Sequence, residues 1–284
     1  MAQVVGVIGL GTMGAGIVEV CLASGHDVIA YDGFPEAREK GLERVRKGFA
    51  RRVEKGTMEQ ADADAAVARL TGAETIADLR DVDIVIEAIA EIPDVKHALF
   101  RELGATLQPN AILATNTSAI SVTGIAEASG CPERVVGLHF FNPAPVMKLV
   151  EVVRTTLVDP QVYADAIEFA EGLDKEAVPC PDTPGFLVNR VLVPMLNDAV
   201  RTLAETGADP VDLDRALKAG AGWPMGPLAL IDLIGLDVQM HASQAIADGL
   251  GDAHYAPHPL LAQMVDEGKL GRKTGEGFHT YESR

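Results

Sequence analysis

The sequence predicts a doubly wound α/β domain with a mostly parallel sheet, followed by an all-helical domain. Three observations carry that reading. Short Val- and Ile-rich runs alternate with longer amphipathic stretches through the first two thirds of the chain, the pattern of buried parallel strands joined by crossover helices. The glycine pattern Gly9-Leu10-Gly11-Thr12-Met13-Gly14 follows the first such run directly. Beyond Pro179, Pro181 and Pro184 no convincing strand run occurs, and long helical periodicity takes over.

In order, residues 4–8, 28–31, 84–88, 112–115 and 135–140 read as strands, each brief and bounded by Gly, Asp, Pro or Asn. Residues 12–24, 36–55, 59–70, 93–107 and 121–129 read as the helices between them. An apolar run at 149–153 and a segment near 175–178 extend the sheet at one edge. Residues 186–206, 210–219 and 237–249 read as helices of a second domain. The expected domains are therefore residues 1–184 and 185–284.

The chain has 284 residues, enough for two ordinary domains with full cores. Its 24 Lys and Arg against 41 Asp and Glu give a formal charge of −17, which argues against nucleic acid as a general partner. A hydrophobic content of 48% with 23% charged residues is that of a globular protein rather than a disordered one. The three cysteines, Cys21, Cys131 and Cys180, show neither CxxC nor Cys/His ligand spacing, so a reducing compartment and no metal site are expected. The first eighteen residues are uncharged, but they lack a basic leader region and hold five glycines. No other uncharged run reaches spanning length, and a cytoplasmic protein without a membrane partner is expected.

The glycine pattern gains meaning from its context, a strand before it and the helix-like stretch 15–23 after it. In a Rossmann-type nucleotide fold Gly9 permits the tight turn, Gly11 lets backbone approach a pyrophosphate, and Gly14 allows close helix–strand packing. The helix N-terminus then faces the phosphates. Asp32 ends the next strand eighteen residues after Gly14, placed to accept from a ribose 2′-hydroxyl and to repel a 2′-phosphate. NAD is favoured over NADP.

Three polar groups interrupt runs that otherwise read as core: Asn116-Thr117-Ser118, the segment His139-Phe140-Phe141-Asn142-Pro143, and Glu151. Strand ends are where α/β enzymes place their chemistry. A His there can exchange protons with an alcohol near neutral pH, and a carboxylate beside it can orient the ring. On the residues alone, His139 is equally a satisfied core histidine, and Glu151 an edge-strand carboxylate.

The stretch Leu138-His139-Phe140-Phe141-Asn142-Pro143-Ala144-Pro145-Val146-Met147-Lys148-Leu149-Val150-Glu151-Val152 closely resembles the signature of the L-3-hydroxyacyl-CoA dehydrogenase family, in particular its short single-function 3-hydroxybutyryl-CoA dehydrogenase members. Further matching motifs are Asp83-Ile84-Val85-Ile86-Glu87-Ala88, Asn116-Thr117-Ser118, the run from Asp182 to Arg190, Pro224-Met225-Gly226-Pro227 and the run from Gly271 to Phe278. The resemblance covers almost the whole chain. It implies that His139 is the acid/base and Glu151 its orienting partner, with Ser118 and Asn189 beside the substrate oxygens. Glu91, Lys96 and Asn142 match positions that meet the cofactor.

Because Asn189 lies beyond the expected boundary, the resemblance implies an active-site cleft between domains, whose closure would exclude water. It also implies a homodimer through the helical domain. At this length no fused hydratase domain is expected. The sequence departs from the usual family pattern at Thr115 and Ala119, where relatives usually carry serine. The sole tryptophan, Trp223, stands where relatives often have a smaller ring, and it reads as a packing or interface residue.

An acyl-CoA substrate is polyanionic, and one stretch of the chain is suited to it. Residues 38–55 hold eight of the 24 basic residues and only three acidic ones. On a helix of about 100° per residue, Lys40, Arg44, Lys47, Arg51 and Lys55 fall within an arc of about 80°, opposite Leu42, Val45, Phe49 and Val53. Lys47, Arg51 and Lys55 are the expected CoA nucleotide contacts, against the plainer reading of a solvated helix face. Rival readings are a relative acting on a hydroxyacyl group carried by an acyl carrier protein, and a catalytically silent dinucleotide-binding protein. A 3-hydroxyacid dehydrogenase of related fold is disfavoured, because the helix carrying Asn189 has no lysine before Lys218.

Overall fold

The computed structural model describes residues 2–282 and divides into two compact units, the first ending at Thr183 and the second beginning at Pro184. In the first unit the chain runs β1 (Val4–Ile8), α1 (Thr12–Ala23), β2 (Asp27–Tyr31), α2 (Pro35–Glu54), α3 (Gln60–Val67) and β3 (Leu70–Gly72). It continues through β4 (Ile84–Glu87), α4 (Pro93–Thr106), β5 (Ile112–Thr115), α5 (Val122–Ser129), β6 (Val135–Phe140), β7 (Leu149–Arg154), α6 (Pro160–Gly172) and β8 (Glu176–Pro181).

These strands form one sheet in the order β3-β2-β1-β4-β5-β6-β7-β8, parallel at every seam except β6–β7. This is the doubly wound, mostly parallel sheet expected. Chain order reverses between β1 and β4, so the loops leaving their carboxyl ends diverge and open a crevice there. The apolar runs that mark β1, β4, β5 and β6 in the sequence are buried on both faces because helices cover both sides. Leu42, Val45 and Phe49 of α2 enter that core together with Ile17, Val18 and Leu22 of α1.

The sheet also corrects the element boundaries. The helix expected over 59–70 stops at Val67, and the chain turns at once into the three-residue edge strand β3. Three residues are too few to show alternation. Helix α6 escaped the periodicity argument, although Asp159 caps it by accepting from the Gln161 N–H at 2.7 Å and Pro160 occupies its first turn.

The second unit is all helical: α7 (Val188–Thr206), α8 (Pro210–Ala221), α9 (Pro227–Ile234), α10 (Leu236–Leu250) and α11 (Pro259–Asp266). Its core joins Leu196, Val200, Leu213, Leu228, Ile231, Leu236 and Leu261, with Trp223 packed against it. Helices α9 and α11, eight residues each, are not among the helices expected from the sequence. Asp214 fixes the start of α9 by accepting from the N–H groups of Leu228 and Ala229 at 2.8 and 2.9 Å. Asp232 holds the C-terminal turn, accepting from the N–H groups of Phe278 and His279 and from the Tyr281 hydroxyl. Burial and that carboxylate push the Tyr281 phenol up to about 12. No helix among the described residues is long and apolar enough to cross a membrane.

Candidate active site

At the carboxyl end of β1 the glycines have three separate reasons to be glycine. Gly9 has a φ of +88°, and a Cβ there would lie 2.7 Å from the Ala88 carbonyl oxygen at the end of β4. A Cβ on Gly14 would lie 1.7 Å from the Gly9 carbonyl oxygen, so α1 can approach β1 this closely only with glycine. A Cβ on Gly11 would meet nothing within 4 Å. Gly11 also caps α1 without a side chain, and the first turn of α1 has no acidic residue, which leaves its N–H groups to an external anion.

Asp32, just past β2, accepts from the Leu10 N–H at 2.9 Å through Oδ2 and from the Phe34 N–H at 3.0 Å through Oδ1. It therefore braces the glycine turn as well as facing the cavity beside it. That cavity, of about 590 Å3, is lined by Gly9, Gly11, Asp32, Phe34, Lys40 and Arg44 among others. Arg44 also donates to the Leu10 carbonyl at 3.1 Å. The glycine cradle, the open side of Gly11 and the flanking cations fit a dinucleotide.

The basic stripe is thus divided. Lys40 and Arg44 belong to the dinucleotide cavity, while Lys47, Arg51 and Lys55 are exposed further along α2 and just past its end. A larger cavity, of about 800 Å3, lies wholly within the second unit between α8, the start of α9 and Arg272, His279 and Tyr281. It contains none of the candidate site residues, and size alone is no reason to prefer it to the crevice at the topological switch.

His139 and Glu151 are directly paired residues on β6 and β7. Strand alternation puts both side chains on one face, where His139 Nδ1 lies 2.7 Å from Glu151 Oε2. Both are buried, His139 4% exposed and Glu151 0%. A carboxylate at Nδ1 places the proton on that nitrogen, leaving the Nε2 lone pair to accept. Ser118 Oγ lies 3.1 Å from Nε2. The ring of Phe141 packs against the imidazole with centroids 4.6 Å apart. Ser118, His139 and Glu151 therefore form one hydrogen-bonded line.

Behind Ser118 lies a second polar group that pattern reading did not single out. Glu87 ends β4 with no exposure, and its carboxylate accepts from the Ile89 N–H, the Lys96 ammonium and the Thr115 hydroxyl at 2.7, 2.5 and 2.7 Å. Lys96 is 1% exposed and also lies 3.3 Å from Glu91 Oε2. Glu91 Oε1 accepts from the Thr117 hydroxyl and from the N–H groups of Ser118 and Ala119 at 2.5, 2.8 and 3.0 Å. Burial pushes the Glu91 carboxyl up, but the Lys96 ammonium and these three donors outweigh it and hold it below the usual carboxylate range. The Lys96 ammonium is thus engaged by two carboxylates inside the fold.

Asn142 is exposed on the loop after β6, and its peptide bond to Pro143 is cis. Asn116 accepts from the Phe140 N–H at 2.8 Å and so ties the β5 loop to β6. Asn189 stands in the first turn of α7, half-buried, in the second unit. Glu87 is the functional candidate to which sequence reasoning gave no role; the one available signal was a glutamate ending an otherwise apolar strand. Among the described residues no group of three or more His, Cys, Asp or Glu side chains is arranged to hold a metal ion.

Comparison with known proteins gives matches along the whole length. Residues 4–183 match the family model described as 3-hydroxyacyl-CoA dehydrogenase, NAD binding domain, and residues 185–281 match 3-hydroxyacyl-CoA dehydrogenase, C-terminal domain. The chain is 43% identical over 277 residues to a 3-hydroxybutyryl-CoA dehydrogenase of Bradyrhizobium diazoefficiens, covering 98% of this chain and 94% of that one. It is 40% identical over 288 residues to the human mitochondrial hydroxyacyl-coenzyme A dehydrogenase, covering 97% and 90%. The crystal structure of (S)-3-hydroxybutyryl-CoA dehydrogenase PaaH1 from Ralstonia eutropha superposes with a TM-score of 0.96 at 38% identity over 100% of both chains.

Proposed function

The chain belongs to the 3-hydroxyacyl-CoA dehydrogenase family, and from that premise we propose that it interconverts L-3-hydroxyacyl-CoA and 3-ketoacyl-CoA with NAD, on short acyl chains such as 3-hydroxybutyryl and acetoacetyl. The observation that carries the chemistry is the line Ser118 Oγ, His139 Nε2 and His139 Nδ1, Glu151 Oε2, at 3.1 and 2.7 Å. When bound, NAD supplies the acceptor for the hydride that leaves C3 of the substrate.

In the oxidation His139 takes the proton of the 3-hydroxyl at Nε2, the nitrogen left with a lone pair by the Glu151 bond. The imidazolium that results is stabilised by the Glu151 carboxylate, in a buried setting where the charge pair is weakly screened. In the reduction the same nitrogen returns the proton to the forming alkoxide. Ser118 donates to a substrate oxygen as charge develops on it, the role that the family motif also gives Asn189. The N–H groups at the start of α1 would hold the cofactor pyrophosphate and Asp32 its adenosine ribose, with Glu91 and Asn142 as further cofactor contacts. Lys47, Arg51 and Lys55 meet the CoA phosphates.

The same reading takes the protein as a homodimer through the second unit. Val191 and Met195, one turn apart on α7, and Leu233 and Val238 are exposed there, which supports it. The decisive assay is NADH oxidation with a panel of C4 to C16 3-ketoacyl-CoA thioesters, repeated with NADPH and with the same acyl group on a carrier protein. Turnover confined to NADPH, or to the carrier-bound thioester, would replace this reading.

A further inference from the structure

Glu87 is an ionisable group at the end of a central strand with no access to water. A carboxylate is tolerable there only if its oxygens are engaged, and the three bonds from Ile89, Lys96 and Thr115 engage both of them. Lys96, almost as buried, bridges from Glu87 to Glu91. Glu91 is the only one of the three that reaches the surface. Its Oε1 gathers the Thr117 hydroxyl and the consecutive N–H groups of Ser118 and Ala119. Those N–H groups belong to an irregular loop whose side chains at 118 and 119 are exposed, so packing does little to fix it.

Resting on the reading of Ser118 and His139 as partners in the reaction, we propose that Glu87 and Lys96 are positioning residues for Ser118, acting through Glu91. Glu87 anchors the Lys96 ammonium on β4. Lys96 then holds one oxygen of Glu91 so that the other faces the loop. If Glu87 loses its charge, the buried ammonium keeps Glu91 as its single carboxylate partner among these groups and draws it closer. Each step that Glu91 takes toward Lys96 removes it from the Ser118 and Ala119 N–H groups, and Ser118 Oγ loses its set distance to His139 Nε2. A buried ion pair that merely fastened α4 to β4 would have no such dependence on Ser118.

The test is a double-mutant cycle. Glu87→Gln keeps the shape and removes the charge, and it is expected to lower kcat with acetoacetyl-CoA and NADH by about ten- to a hundredfold in the wild-type background. In a Ser118→Ala background the same substitution is expected to change kcat by less than about threefold, because the group it positions is already gone. Glu91→Gln leaves the buried pair intact and should give the same pattern, which covers the case that Glu87→Gln fails to fold. Amide hydrogen exchange over residues 117–120 reads the loop without turnover, and it should quicken in both variants. Equal losses of kcat in the two backgrounds, or loop exchange unchanged in a folded variant, would overturn the proposal. A wild-type protein inactive on every 3-ketoacyl-CoA would instead refute the proposed function, and the exchange measurement alone would then decide the role of Glu87.

Discussion

His139 and Glu151 face each other across the only antiparallel seam of the sheet, with Nδ1 and Oε2 2.7 Å apart. A directly opposed pair in adjacent strands needs no loop to bring it together, so the pair inherits the rigidity of the sheet. The seam also turns the chain back, and Glu151 reaches the histidine only twelve residues later in sequence.

The first prediction concerns this pair. Glu151→Gln preserves the volume and a hydrogen-bond acceptor but removes the charge that stabilises an imidazolium. It is expected to lower kcat/KM with acetoacetyl-CoA by about 10²–10⁴-fold. Spectrophotometric assay of NADH oxidation measures it, with a melting curve to verify folding; a variant within threefold of wild type would remove Glu151 from the proposed role.

A second prediction separates two glycines three residues apart. Gly14→Ala places a methyl group 1.7 Å from the Gly9 carbonyl oxygen, where backbone must shift, and should cost about 1–3 kcal/mol, seen as a lower Tm. Gly11→Ala meets no atom of the protein and should leave Tm within about 1 °C, while weakening NADH binding by tenfold or more by blocking the approach of the pyrophosphate. Calorimetry and NADH fluorescence titration distinguish the two. Equal loss of Tm would show that both serve packing alone.

The divided stripe on α2 yields a third. Arg44→Glu should weaken NADH binding, since Arg44 lines the dinucleotide cavity and holds the Leu10 carbonyl. Arg51→Glu should leave NADH binding near wild type and raise KM for a CoA thioester much more than for a truncated thioester lacking the nucleotide. If Arg51→Glu affects both thioesters alike, the CoA assignment of this end of the stripe is wrong.

The fourth concerns pH. Glu19 on α1 rests its carboxyl against Gly48 of α2, where an added Cβ would lie 2.2 Å from it. Burial raises its pKa from 4.5 to about 7, only partly opposed by Arg52 and Arg51. The folded state therefore binds this proton more tightly than the unfolded chain does. The corresponding stabilisation is complete below about pH 4.5 and is lost as pH rises through about 7. Glu19→Gln should match wild type near pH 4.5 and exceed its stability by about 1–2 kcal/mol at pH 8.5, after allowance for solvent screening. Denaturant titrations at the two pH values measure this, and a variant less stable at pH 8.5 would reverse the sign.

Much of the fold is legible because its signals are local. Strand runs such as residues 112–115 and 135–140 coincide with β5 and β6, since a strand buried on both faces must be apolar throughout. The edge strand β3 and the helix α9 are not legible, because each is fixed by what it packs against: β3 by pairing with β2, and α9 by the Asp214 cap from another helix. Ser118, His139 and Glu151 are singled out by polarity in apolar runs, whereas Glu87 lies inside a motif whose pattern does not reveal its partners.

By itself the sequence determined the alternation of strands and helices, the glycine turn, the helical second half and the identity of the polar residues at strand ends. These are properties of neighbours in the chain, expressed through period, φ preference and side-chain size. Only the tertiary structure decided which charge answers which. It gave Lys96 to Glu87 and Glu91, set Asp32 on the Leu10 N–H, turned Lys40 and Arg44 toward the dinucleotide cavity and brought Ser118 to His139. Periodicity tells which face of an element is polar. The partner on that face comes from strand order and register, and in a buried site the partner determines whether a charge is affordable and what it can do.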